Sequence, residues 1–240
     1  VTLIYGHRGA KGEAPENTLN SFRQCLSHGV DRCELDLHLS ADNELMVIHD
    51  TTLKRTTGRR GKVAEHTAAE LATYDARQGG PSWVQPCPIP TLQTLFEQCA
   101  FEHWQLEVKS ASRTRAASTV LAIRELAQAY GLLDKITITS SSREVLGAAL
   151  ELVPDVARGL VAEYAWLDPL KVAQNYGCNL LALNWTLCTP ERLHKAQALG
   201  LHVSVWTVNE PALMHRLADF GVDSLITDFP GLARTTLGTD

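Results

Sequence analysis

Apolar residues recur along this chain in short runs separated by longer amphipathic stretches. Runs at Leu3–Tyr5, Arg32–Leu39, Trp104–Lys109, Ile136–Thr139, Ala157–Val161, Asn179–Leu183, His202–Thr207 and Ser224–Thr227 have the length of strands. Most are followed by helical patterning; Val145, Leu146, Ala149 and Leu152, for example, repeat with a period of 3.6. Eight strands alternating with helices predict an α/β chain folded as a parallel TIM (β/α)8 barrel. A length of 240 residues suits one such domain, spanning 1–240, better than two.

The punctuation supports these boundaries. Thr189-Pro190 and Asp168-Pro169 each place an N-cap before a proline at the first helical position, and Gly200 and Gly177 follow the respective ends. Asn209 is expected to cap a helix closing at Gly221, while Thr67 with Glu70 and Ser141 with Glu144 have capping-box spacing. Two stretches depart from the rhythm. Asp42-Asn43 reads as a tight turn, so that Leu45–His49 returns as a short strand. Residues 51–90, rich in glycine and proline, read as an insertion after the second strand region. A short helix near Ala68–Tyr74 is its one expected regular element, and it is expected to lie over a rim without a core of its own.

Charge and composition narrow the function. A formal net charge of −5 argues against a nucleic-acid binder, so an anionic ligand must be drawn in by local charge. No apolar run approaches the ~20 residues that span a bilayer, and Leu3–Gly6 is too short for a secretory core. Val1 at position one is compatible with a trimmed start. The six cysteines contain no Cys-x-x-Cys pair and mostly fall in apolar patterns, as expected of reduced thiols in a cytoplasmic protein.

On a strand, residues two apart share a face, so Glu34 and Asp36 point one way, and Glu107 and Lys109 repeat the arrangement on a neighbouring strand. Charges facing into a packed barrel are costly unless paired or bound to an ion. Three carboxylates from adjacent strands make an all-oxygen site suited to one hard divalent cation, Mg²⁺ or Ca²⁺. A buried Glu34–Lys109 ion pair explains less, because it leaves two carboxylates unused. His7 and His49 each follow a strand near these carboxylates and suit acid and base work. Arg8 and Lys109 supply positive charge for phosphate oxygens, and Gly9 lets the backbone turn beside them. His38 shares the parity of Glu34 and Asp36 but is expected to lie past the strand end in solvent.

The runs His7-Arg8-Gly9, Pro15-Glu16-Asn17-Thr18, Glu34-Leu35-Asp36, His49-Asp50, Leu53-Lys54-Arg55-Thr56-Thr57-Gly58, Ile89-Pro90-Thr91-Leu92, Glu107-Val108-Lys109, Trp206-Thr207-Val208-Asn209 and Thr227-Asp228 resemble, in order, those of the glycerophosphodiester phosphodiesterase family. The resemblance covers nearly the whole chain and is nearest to short, single-domain bacterial cytosolic members. It implies a general acid/base pair at His7 and His49 and phosphate-binding roles for Arg8 and Lys109. It implies a metal site at Glu34, Asp36 and Glu107, and makes Glu16, Asn17 and Trp206 candidates for supporting or substrate-pocket residues. One departure is visible. Ser140-Ser141-Ser142 stands where the family usually has an aromatic residue following a serine, which bears on the head-group pocket.

The activity so implied is metal-dependent hydrolysis of a small-molecule glycerophosphodiester to sn-glycerol 3-phosphate and an alcohol. Water or the substrate's own 2-hydroxyl is the nucleophile, and either histidine is the acid. A lysophospholipase D-like activity would need an apolar groove, and a non-catalytic phosphoester-binding barrel would lack a histidine or carboxylate. The metal-dependent amidohydrolases need His-x-His after the first strand, where this chain has His7-Arg8-Gly9. Trp83 and the basic run Arg59, Arg60 and Lys62 are expected to reach the substrate from the insertion.

Overall fold

The computed structural model describes residues 1–109, 112–164 and 168–238. Eight parallel strands close into a barrel: β1 (Leu3–His7), β2 (Arg32–Leu39), β4 (His103–Val108), β5 (Ile136–Ser140), β6 (Ala157–Ala162), β7 (Leu180–Asn184), β8 (His202–Trp206) and β9 (Ser224–Thr227). Closure comes from β1, which pairs with β9 on one side and with β2 on the other. A short β3 (Leu45–Val47) returns antiparallel to β2 across the Asp42-Asn43 turn, where Asn43 takes a left-handed φ of 62°. The expected barrel is therefore present, with strand ends displaced by a residue or two.

Alternation along the strands creates two environments. On β2, Cys33, Leu35 and Leu37 are fully buried in the large apolar layer between strands and helices. The opposite parity, Glu34 and Asp36, faces the barrel interior. Register aligns the interior residues of successive strands: His7 with Glu34, Glu34 with Gln105, Asp36 with Glu107, and Glu107 with Thr139. The C-terminal strand ends thus bring charges from β1, β2 and β4 together at one mouth.

The helix signals fare unevenly. Thr189 and Asp168 cap as expected, accepting from the backbone N–H of Arg192 and Lys171, and Thr67 with Glu70 forms a reciprocal capping box. Ser142, not Ser141, caps the helix Arg143–Leu152, because Ser142 Oγ accepts from Val145 N–H. Asn209 does not cap the following helix, whose N-cap is Glu210; its side chain is engaged by Asp228 instead.

The insertion also differs from expectation. Besides the helix Ala68–Leu71 it holds a helical turn at Lys54–Thr57, closed by Gly58 in the left-handed region, and a 3-10 turn at Val63–Glu65. It also has an apolar cluster of its own: Leu53, Val63, Leu71, Ala76 and Ile89 pack with Met46 and Ile48.

Candidate active site

Glu34, Asp36 and Glu107 converge as the strand register requires, each offering an oxygen within 4.8 Å of the others. Glu34 and Asp36 are buried. Burial, then the neighbouring Asp36 and Glu107 carboxylates, push Glu34 well above the usual carboxylate range. Burial and Asp36 push Glu107 in the same direction. Burial acts on Asp36 too, but Lys109 and Arg8 overcome it and hold Asp36 below its ordinary value. The cluster is short of positive charge.

Each of the two cations nearest to it is shared between two carboxylates: Lys109 between Glu107 and Asp36, and Arg8 between Glu16 and Asp36. Lys109 Nζ donates to Glu107 Oε1 at 2.8 Å and lies 3.1 Å from Asp36 Oδ1, an ion pair without the alignment of a hydrogen bond. Asp36 Oδ1 is consequently buried with no hydrogen-bond donor. Three carboxylate oxygens, one of them lacking a donor, fit a hard divalent cation.

Arg8 is placed by an unusual backbone. Its φ is 50°, and its N–H donates to Glu34 Oε2 at 3.3 Å. Gly9 follows at φ 86°, where a Cβ would come within 2.6 Å of the Ser21 backbone, so only glycine makes this turn. The Arg8 guanidinium donates to Glu16 at 2.8 Å, and its Nε is 3.2 Å from Asp36 Oδ2. Asn17, also at positive φ, donates from Nδ2 to Asp36 Oδ2 at 3.0 Å. Glu16 and Asn17 therefore support Arg8 and Asp36 from behind.

Each histidine is oriented by a carboxylate. His7 Nδ1 lies 2.6 Å from Asp228 Oδ1, and Asn209 Nδ2 donates to the other Asp228 oxygen at 2.9 Å. His49 Nδ1 lies 2.7 Å from Asp50 Oδ1. Arg55, then burial and His49, set Asp50, with the net result about 2; Arg55 forks onto Asp50 and onto Glu16, tying the insertion to the Arg8 loop. An ionised carboxylate only accepts, so each Nδ1 carries the proton and each Nε2 is left for the cavity. His7 Nε2 is 3.7 Å from Glu34. Burial lowers His49 below its ordinary value, despite the pull of Asp36.

A cavity of about 760 Å³ opens over these groups; His7, Arg8, Glu34, His49, Glu107 and Lys109 line it. Trp206 lines it too, with its indole N–H fixed on Ala182 O at 3.0 Å. His38 is not a solvated residue as expected. Strand β2 runs on to Leu39, so His38 sits half-buried in the cavity wall with Nε2 2.8 Å from the His49 carbonyl. Trp83 and the basic run do not line the cavity. Trp83 is half-buried within the insertion and Arg59 stacks over Tyr74 at 5.0 Å; of the insertion only its first residues, Thr51 and Thr52, line the cavity, next to Asp50.

Asp228, Asp50, Arg55 and Asn209 stand in the runs that carry the resemblance, yet the sequence reading assigns none of them a part in the site, and Asn209 only that of a helix cap. His49-Asp50 adjacency was the available signal for one of them. The Asp228 pairing had none, since it joins residues 221 positions apart.

The chain is 29% identical to a glycerophosphodiester phosphodiesterase of Caldanaerobacter subterraneus subsp. tengcongensis, with 95% of each chain covered. Its fold matches an Oleispira antarctica phosphodiesterase solved in complex with the product sn-glycerol-3-phosphate. The TM-score is 0.89 at 26% identity, over 100% of this chain and 98% of that one. It also matches a glycerophosphodiester phosphodiesterase of Agrobacterium tumefaciens, with a TM-score of 0.81 at 26% identity, over 98% and 100% of the two chains. The pattern of the glycerophosphoryl diester phosphodiesterase family runs through residues 7–232, and the chain belongs to that family.

Proposed function

We propose that this enzyme hydrolyses glycerophosphodiesters to sn-glycerol 3-phosphate and an alcohol, using His7 and His49 as acid and base beside a divalent cation. One observation carries the reading: two histidines, each with Nδ1 held by its own carboxylate, flank a largely buried three-carboxylate cluster whose charge its neighbours Arg8 and Lys109 do not balance. Glu34, Asp36 and Glu107 would hold the cation, Mg²⁺ or Ca²⁺, which when bound supplies charge to the non-bridging phosphate oxygens.

Arg8 and Lys109 bind the phosphate and absorb the charge that builds as the phosphorus–oxygen bond breaks. One histidine, neutral with a bare Nε2, takes the proton of the attacking hydroxyl, and the other, an imidazolium protonated at both ring nitrogens, gives its Nε2 proton to the departing alkoxide. Asp228 and Asp50 each hold an Nδ1–H, so that both rings exchange protons at Nε2. The product complex of the Oleispira antarctica relative supports glycerol 3-phosphate as the product here. Six free cysteines support a reducing, cytoplasmic setting.

The lysophospholipase D reading needs an apolar groove, whereas the described cavity wall mixes charged and hydroxyl side chains with Val161, Ala182, Trp206 and Ile226. A coupled assay for released glycerol 3-phosphate on deacylated phospholipids, with lysophosphatidylcholine as the comparison, tests the assignment. Release from the deacylated diesters is expected; release confined to lysophosphatidylcholine would replace it with the lysophospholipase reading.

A further inference from the structure

The charges around the cavity are unevenly distributed. The wall formed at the ends of β1, β2, β3 and β4 carries Arg8 and Lys109, and its carboxylates are all engaged. Glu34 and Glu107 belong to the metal-type cluster, and Asp50 is held by His49 and Arg55. The opposite wall, from β5 to β9, is lined by hydroxyl, aliphatic and indole side chains with a single charged residue, Glu163. Among the described residues, Glu163 has no hydrogen bond or ion pair.

Its position follows from register. Strand β6 ends at Ala162, and Val161, which lines the cavity, fixes the inward parity; Glu163 continues it one residue past the strand. Lys109 stands in the same relation to β4. Ala162 pairs with Leu183, and Asn184 with Trp206, so Glu163, Asn184 and Trp206 lie in one layer of the mouth. Glu163 and Trp206 are two strands apart, about 10 Å at the usual strand spacing. Glu107 pairs with Thr139 and Thr139 with Gly159, so Lys109 stands level with Val161, and Glu163 lies one step further toward solvent. The phosphate-binding cations Arg8 and Lys109 thus lie deep on one wall, and a free carboxylate stands at the lip of the other, beside an indole whose position is fixed by its bond to Ala182.

We propose that Glu163 and Trp206 form a subsite for a cationic alcohol portion of the substrate, an ammonium such as that of choline or ethanolamine. The inference rests on the phosphodiesterase reading above: with the phosphate between Arg8 and Lys109, the leaving alcohol extends toward the opposite lip. There a carboxylate opposes the ammonium charge and the indole face attracts it. A zwitterionic diester matches this polarity at both ends; a neutral head group leaves Glu163 without a partner.

The test compares kcat/KM for glycerophosphocholine, glycerophosphoethanolamine and glycerophosphoglycerol in the wild type, Glu163→Gln and Glu163→Lys. In Glu163→Gln the choline-to-glycerol ratio should fall about 2–5-fold, the scale of a solvated charge pair, since the indole remains. Glu163→Lys should lower it further, and Trp206→Leu should lower it more than Trp206→Phe. Unchanged ratios, or equal losses on all three diesters, would overturn the subsite while leaving the phosphodiesterase intact. Failure of the wild type to release glycerol 3-phosphate from any of them would instead overturn the activity itself.

Discussion

At the N-terminal end of the barrel, Tyr5 Oη lies 2.9 Å from His103 Nδ1, and His103 Nε2 lies 3.1 Å from Thr137 Oγ1. Gln105 donates to Ser204, Ser204 accepts from Ser224, and Ser224 bonds His202. At the C-terminal end, on β2 and β4, Glu34, Asp36 and Glu107 are all acceptors crowded together, and one of their oxygens lacks a donor. The first cluster closes on itself. Its groups stay neutral: burial, helped by His202, pushes His103 down to about 4, and burial pushes Tyr5 up to about 12. The second holds like charges against their own repulsion, which no requirement of packing explains. A buried polar cluster that satisfies itself serves the fold; one left needing positive charge is built for a ligand.

Breaking the mouth should therefore cost activity and spare stability. Replacing His7 or His49 by Ala should lower kcat by roughly 10²–10⁴, the range for a positioned acid or base. The thermal midpoint should stay near the wild-type value. Wild-type turnover in His49→Ala would remove that residue from the chemistry. Breaking the floor should do the reverse. Tyr5→Phe strips His103 Nδ1 of its hydrogen-bond partner and should cost about 1–3 kcal/mol in denaturant unfolding, with kcat unaltered. A fall in kcat without loss of stability would mean that the two clusters are not separable.

Acid sharpens the contrast. His103 titrates near 4 in the fold against an ordinary 6.5, so protonation favours the unfolded chain. Its contribution is complete above pH 6.5 and is lost as pH falls toward 4. Unfolding of the EDTA-treated protein should lose this slope in His103→Asn; an unchanged slope would assign the acid sensitivity elsewhere.

How far the sequence carried depended on whether a signal was local. Strand alternation alone turned Glu34, Asp36, Glu107 and Lys109 toward one interior, and the barrel brought them together. Asp228 was out of reach because its partner His7 arrives only when β9 closes the barrel against β1. Asn209 misled for a related reason: its spacing fits a cap, but Asp228 lies within reach and takes its amide. Glu163 carries no sequence signal, because it lies beyond the apolar run Ala157–Val161 and one residue past the strand end at Ala162. Trp83 was credited with substrate contact from its place in a long excursion, yet that excursion has its own apolar cluster.

The central claim is that the mouth cluster works by holding a divalent cation. The direct measurement is glycerol 3-phosphate release by metal-stripped protein, titrated with Mg²⁺ and with Ca²⁺ and repeated with Glu34→Gln. Turnover should be absent without metal, return with at least one of the two ions, and require more of that ion in Glu34→Gln. Full turnover in the metal-stripped enzyme would contradict the account.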